Sequence, residues 1–216
     1  MIRKLALLAA ACCTFAATAR AAPPAEAISL FNGKDLTGWT AVLSDGNVPP
    51  EQVWSAADGV LHCTGIPSGY IRTDAEYENY VLTLEWRWPD EPGNNGVLVH
   101  TGEPAALGIW PHSIEVQLHH GNAGDFWIIG TELDVENEGE RVEGRRHRNL
   151  TDDSENPPGE WNRFEITCRG NEVLVKVNGT LVNHGTNGSV RRGAISLQSE
   201  GARIEYRDIV LTPLAE

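Results

Sequence analysis

Basic residues are in short supply. The 216-residue chain carries 17 Lys and Arg against 30 Asp and Glu, a net charge of −13. That deficit excludes the basic footprint of a nucleic-acid-binding protein and works against adhesion to anionic membranes. Cysteine is scarce as well, with four residues and no Cys-x-x-Cys spacing, which disfavours a zinc or redox motif. Helical periodicity is missing, and no long apolar run follows the first twenty residues, so no transmembrane segment is expected. The hydrophobic share of 41% is ordinary. It excludes disorder, collagen and coiled coil, and a chain this long buries a core without a staple.

The start of the chain reads as a leader. Arg3 and Lys4 precede an apolar, Ala-rich stretch from Leu5 to Ala19, and Ala19-Arg20-Ala21 has the form of a cleavage site. This predicts a signal peptide over 1–21 and one mature domain over 22–216, secreted or periplasmic. Lipid attachment at Cys12 fits less well, because Ala9-Ala10-Ala11 is a weak match ahead of it. Losing Arg3, Lys4 and Arg20 takes the net charge from −13 to −16. Cys63 and Cys168 remain, either as a disulfide or as two separate buried thiols.

The body of the chain alternates with period two. Tyr80, Leu82, Leu84, Trp86 and Trp88 are apolar, with Val81, Thr83, Glu85 and Arg87 between them. That predicts a strand with one buried face. Runs around Val97–Val99, Ile114–Leu118, Val173–Val177, Ile195–Leu197 and Ile204–Val210 behave alike, and Asn178-Gly179 signals a hairpin. Many short strands with Gly and Pro between them predict an all-β fold, a two-sheet antiparallel sandwich or jelly roll. The segment 131–160 departs from this, with ten acidic and four basic residues. It reads as a charged insertion loop on the surface, in which Arg145-Arg146-His147-Arg148 pairs with surrounding acids.

The polar positions of these runs are not generic. One predicted face gathers Glu85, Arg87, His100, Glu115, Gln117, His119, Ser196, Gln198 and Glu200. Acids, amides, an Arg and two His suit a sugar, whose hydroxyls both donate and accept. Seven Trp against four Phe add stacking surfaces. Trp86 and Trp88 fall on the apolar face and read as core. Trp110 and Trp127 lie beside Gly and Pro in expected loops and are the better site candidates.

Several motifs together resemble one family. They run from Leu30-Phe31-Asn32-Gly33-Lys34-Asp35-Leu36-Thr37-Gly38-Trp39 through Gly69-Tyr70-Ile71-Arg72-Thr73, Glu85-Trp86-Arg87 and Asn95-Gly96-Val97. Ser113-Ile114-Glu115-Val116-Gln117-Leu118, Gly121-Asn122-Ala123-Gly124-Asp125-Phe126-Trp127 and Gly159-Glu160-Trp161-Asn162 follow, then Val177-Asn178-Gly179 and Leu197-Gln198-Ser199-Glu200-Gly201. Residues 28–214 thus resemble the 3-keto-disaccharide hydrolase domain family. The resemblance implies a concanavalin A-like jelly roll, exported, acting on glycosides at a concave sheet face. The family's Asn-Ser-Gly is Asn94-Asn95-Gly96 here, and its Phe-Arg-Asn is Tyr206-Arg207-Asp208.

Related jelly-roll glycosidases place two acids at i and i+4 on one strand, whereas here Glu115 is followed by Gln117 and His119. Retaining hydrolysis needs two carboxyl groups about 5–5.5 Å apart, so it would require Glu200 or Glu85 as partner. A 3-keto sugar needs less. A base takes the proton from carbon 2, the aglycone leaves carbon 1, and water adds to the enone. The resemblance makes Glu115 or His119 the base, and Arg87, Gln117 or Gln198 the oxyanion donor. Glu200 or His100 would protonate the leaving group. The catalytic candidates are therefore Glu115, His119 and Glu200, with Glu85, Arg87, His100, Trp110, Gln117, Trp127 and Gln198 binding substrate. The residues fix no firm cofactor; a divalent cation, Ca or Mn, could replace the oxyanion donors, held by Glu115, His119 and Glu200. The competing expectations are a non-catalytic lectin-like module and a laminin-G-like adhesion domain.

Overall fold

The computed structural model describes residues 26–152 and 154–215. The predicted leader, with Cys12, lies outside the described residues. Strands dominate. In chain order they are β1 (Ile28–Ser29), β2 (Trp39–Leu43), β3 (Trp54–Ala57), β4 (Val60–Cys63), β5 (Gly69–Thr73) and β6 (Tyr80–Arg87). Next come β7 (Gly96–Thr101), β8 (Ser113–Gln117), β9 (Phe126–Ile129), β10 (Asp134–Val135), β11 (Val142–Glu143) and β12 (Arg146–His147). The last are β13 (Asn162–Arg169), β14 (Glu172–Val177), β15 (Thr180–Thr186), β16 (Ala194–Ser199) and β17 (Ile204–Pro213). One α-helical turn, α1, spans Glu138–Arg141.

These strands form two antiparallel sheets, as the alternation predicts. The first runs β10-β15-β14-β13-β6-β17-β4-β3, with β1 added beside β17. The second runs β11-β12-β9-β8-β7-β16-β5-β2. Tyr80, Leu82, Leu84 and Trp86 turn inward from β6, and the residues between them are half-exposed. Facing them are Val97 and Val99 of β7, Ile114 and Val116 of β8, and Ile195 and Leu197 of β16. Trp86 and Trp88 are core, with Trp86 packed 4.5 Å from Phe164 between ring centres. The Asn178-Gly179 turn joins β14 to β15 with both residues at positive φ, 49° and 86°, which matches the twist of a tight hairpin. Among the described residues no helix is long and apolar enough to cross a membrane.

The charged segment 131–160 is not the separate surface excursion expected of it. β10 pairs with β15 in the first sheet, and β12 pairs with β9 in the second. Edge strands of two residues need no apolar run, so the alternation that reveals β6 is absent here. Within the Arg cluster, Arg148 stands 3.5 Å from Glu143, as expected, whereas Arg146 is bonded at 2.6 Å to Asp125, an acid outside the segment. Arg145 forms no ion pair among the described residues.

Candidate active site

The site lies on the outer face of the second sheet. Because Ile114, Val116 and Leu118 turn into the core, Ser113, Glu115 and Gln117 must turn out. Register places Glu115 between Leu98 of β7 and Trp127 of β9, and Gln117 beside Gly96. The missing side chain at position 96 matters. A β-carbon there would come within 2.5 Å of Gln198 Oε1 and 2.8 Å of Glu115 Oε1. Gly96 therefore leaves the space into which both groups reach. Asn95, fully buried, fixes the next element: its amide donates to Ala202 O at 2.9 Å and accepts from Glu200 N at 3.0 Å. This clamp holds Glu200 against the start of β7. The Asn that replaces the family's Ser thus acts on the backbone.

Glu115, Glu200, Trp110, Trp127 and Arg145 line a cleft of about 120 Å³. Through Asn94, Gln117 and Trp127 it continues into a chamber of about 330 Å³, where His119, Asp125 and Arg146 stand. Glu115 is only 6% exposed. Burial first, and the neighbouring Glu200 carboxylate second, push its carboxyl up to about 8, against smaller pulls from Gln198 and Arg145. Burial raises Glu200 too, while Asn94 and Arg145 oppose the shift. At neutral pH Glu115 holds its proton. Around the pair, both amide atoms of Gln198, Asn94 Oδ1 and Trp127 Nε1 are buried and, the approach of Gln198 to Glu115 aside, find no hydrogen-bond partner among the described residues. Buried polar atoms of this kind need a hydrogen-bonding ligand or water. The result is two coupled carboxyl groups in a tryptophan-walled cleft, one held protonated, with open donors and acceptors beside them.

The structure brings Glu115, Glu200, Trp110, Gln117, Trp127 and Gln198 onto this one face. Gln117 is partly committed, since its Oε1 accepts from the backbone N–H of Leu118 and His119. Three expected partners are elsewhere. Glu85 and Arg87 point outward from β6, on the opposite side of the sandwich, where Glu85 binds Arg207 at 2.6 Å and Arg87 binds Glu205 at 2.6 Å. Alternation had placed them correctly within their strand and on the wrong sheet. His100 is 2% exposed and lies against Tyr80, 6.0 Å between ring centres. Its φ of +55° falls where the β7–β16 register shifts, so the alternation breaks and the ring turns away from the cleft. Burial lowers its imidazole to about 4, which keeps it neutral.

His119 follows the end of β8 and is exposed, its Nδ1 held near His120 O and Asn122 Nδ2. It stands at the rim of the chamber, away from the carboxyl pair. Among the described residues no three His, Cys, Asp or Glu side chains converge as metal ligands, so Glu115, His119 and Glu200 do not form the expected cation set. Sequence reasoning missed Asn94, Arg145 and the Arg146–Asp125 pair. Asn94 was visible beside the Asn95-Gly96 motif; Arg145 gave no signal beyond the charge cluster.

Comparison with known proteins decides the family. Residues 26–212 match the sequence profile of the 3-keto-alpha-glucoside-1,2-lyase-like domain. The chain belongs to that family. No curated protein matches the chain. Among solved structures, a Parabacteroides distasonis protein provisionally named a glycosyl hydrolase is 25% identical, with TM-score 0.63, covering 88% of this chain and 100% of its own. A β-glucanase of Bacillus licheniformis has TM-score 0.60 at 12% identity, covering 89% of this chain and 99% of its own. The carbohydrate-binding module CBM66 of Bacillus subtilis has TM-score 0.60 at 10% identity, covering 84% and 97%. The last two are similar in fold alone, the concanavalin A-like jelly roll. Within the 3-keto-alpha-glucoside-1,2-lyase-like family, the outer face of the second sheet is this chain's candidate for the site.

Proposed function

We propose that the chain is an exported enzyme that cleaves 3-keto-glycosides by elimination followed by hydration. Glu200, the more readily ionised carboxyl, takes the proton from carbon 2 of the sugar. The electron pair left behind forms the carbon 1–carbon 2 double bond as the glycosidic oxygen departs, and Glu115 donates its proton to that oxygen. Water then adds across the double bond. The observation that carries this reading is the Glu115–Glu200 pair in one cleft, where burial and the neighbouring Glu200 charge favour the protonated form of Glu115. The roles differ from the sequence expectation, which made Glu115 or His119 the base and Glu200 or His100 the acid. The family match supports the ketone, and Trp110 and Trp127 offer stacking walls for a sugar ring.

A second reading has one observation in its favour. Glu200 is a carboxyl partner for Glu115, and a carboxyl pair can also run ordinary retaining hydrolysis. Turnover of a chromogenic 3-keto-glucoside beside its unoxidised parent separates the two. Cleavage of the keto compound alone is expected. Cleavage of both would establish ordinary hydrolysis, and cleavage of neither, with sugar binding intact, would leave a carbohydrate-binding module.

A further inference from the structure

Elimination next to a ketone puts negative charge on the ketone oxygen, and neither carboxyl group can hold it. Arg145 is placed to do so. It occupies the second position of the two-residue turn between β11 and β12, with Gly144 at φ +62° ahead of it. Its carbonyl accepts from Ile128 N at 2.9 Å, which fastens the turn to β9. Its guanidinium lies over the Trp127 ring, 5.4 Å from the centroid, and lines the cleft that holds Glu115 and Glu200. Arg146, the neighbouring guanidinium, is committed to Asp125 and Asn122. Arg145 makes no ion pair among the described residues, and its one side-chain hydrogen bond, to Ile128 O, is long at 3.5 Å. A cleft that already holds two carboxyl groups thus has at its wall a cation without an ion pair among the described residues.

We propose that Arg145 is a catalytic residue that stabilises the enolate oxygen formed when the proton leaves carbon 2. This rests on the elimination reading above. The indole of Trp127 supports the guanidinium from one face and leaves its donors open, and a preset donor at a developing oxyanion is worth about 10²–10³ in rate.

The test isolates proton removal from departure of the leaving group. The probe is a 3-keto sugar whose carbon 1 carries two hydrogens and no glycosidic oxygen, 1,5-anhydro-3-keto-glucitol. In D₂O the base exchanges the hydrogen on carbon 2, and NMR reads the rate. Arg145→Gln is expected to slow exchange by about 10²–10³, while calorimetry shows the probe still bound. Arg145→Lys, which keeps the charge, should lose less. Arg145 is exposed at its turn, so both variants are expected to keep the wild-type melting temperature. A loss below tenfold in Arg145→Gln, with the wild type exchanging, overturns the role of Arg145 alone. Absence of exchange in the wild type overturns the elimination reading and this role with it.

Discussion

Glu115 is where local physics and function meet. Its carboxyl is pushed from an ordinary 4.5 to about 8, chiefly by burial. A proton donor of that kind gives a rate that falls as pH rises through about 8. On the acid side the rate should fall as Glu200 protonates, so the profile is bell-shaped. Glu115→Gln should lower kcat by about 10²–10⁴. Stability follows with a definite sign. A carboxyl raised in the folded state binds its proton more tightly there than in the unfolded chain. The wild type therefore loses stability between pH 4.5 and about 8, and Glu115→Gln does not share that loss. The variant should melt above the wild type at pH 8.5 and together with it at pH 4.5. Equal melting at both values would show that Glu115 is not buried as described. Gly96→Ala tests the same pocket by volume. The added methyl would meet Gln198 Oε1 and Glu115 Oε1, both ends of flexible side chains. Activity should fall at least tenfold while the melting temperature changes little. Full activity would mean that neither side chain needs its present position.

At the scale of elements, alternation revealed most of the fold. It fixed which residues of β6, β8, β14 and β16 face the core, because burial of one face sets the period. Alternation does not say which sheet a strand joins. Glu85 and Arg87 take the polar positions of their strand as Glu115 and Gln117 do of theirs, and they sit on the other sheet. Nor does it survive a register shift, which is why His100 was misplaced. The segment 131–160 was illegible for a different reason: its strands are held by backbone pairing and by hydrogen bonds such as those from Arg141 to the Arg148 and Glu136 carbonyls, with few apolar side chains. One of its acids has a specific task. Glu155, its side chain 6% exposed, accepts from Gly121 N at 2.6 Å and stands 3.3 Å from His120 Nδ1. These contacts anchor the loop that carries His119 and Asn122 at the chamber rim. Glu155→Ala should free the Gly121 amide to exchange with solvent and raise KM more than it lowers kcat. An unchanged exchange rate at Gly121 would show that the loop holds itself.

For the molecule as a whole, the question left by the sequence was whether Cys63 and Cys168 staple the sandwich. Both thiols are free and buried, and burial pushes them up to about 11 and about 12. Topology gives the reason. Cys63 is on β4 and Cys168 on β13, with β17 and β6 between them. Three strand spacings separate them by about 14 Å across the sheet, and they also lie at opposite ends of it, since Cys63 aligns with Ile204 and Cys168, through Tyr80, with Pro213, so the gap is far beyond the reach of a disulfide. The first sheet cannot close that gap without losing its two central strands. An exported chain cleaved after Ala21 would also have shed Cys12 and Cys13. Its stability must then come from the apolar faces of the two sheets, which bury Trp54, Trp86, Phe126 and Phe164. Reductant should therefore leave the melting temperature unchanged. A thiol reagent should find no reactive cysteine in the folded mature chain and two after denaturation. One thiol or none after denaturation would mean that the cysteines are oxidised, and a lower melting temperature in reductant would mean that the sheets need a covalent link after all.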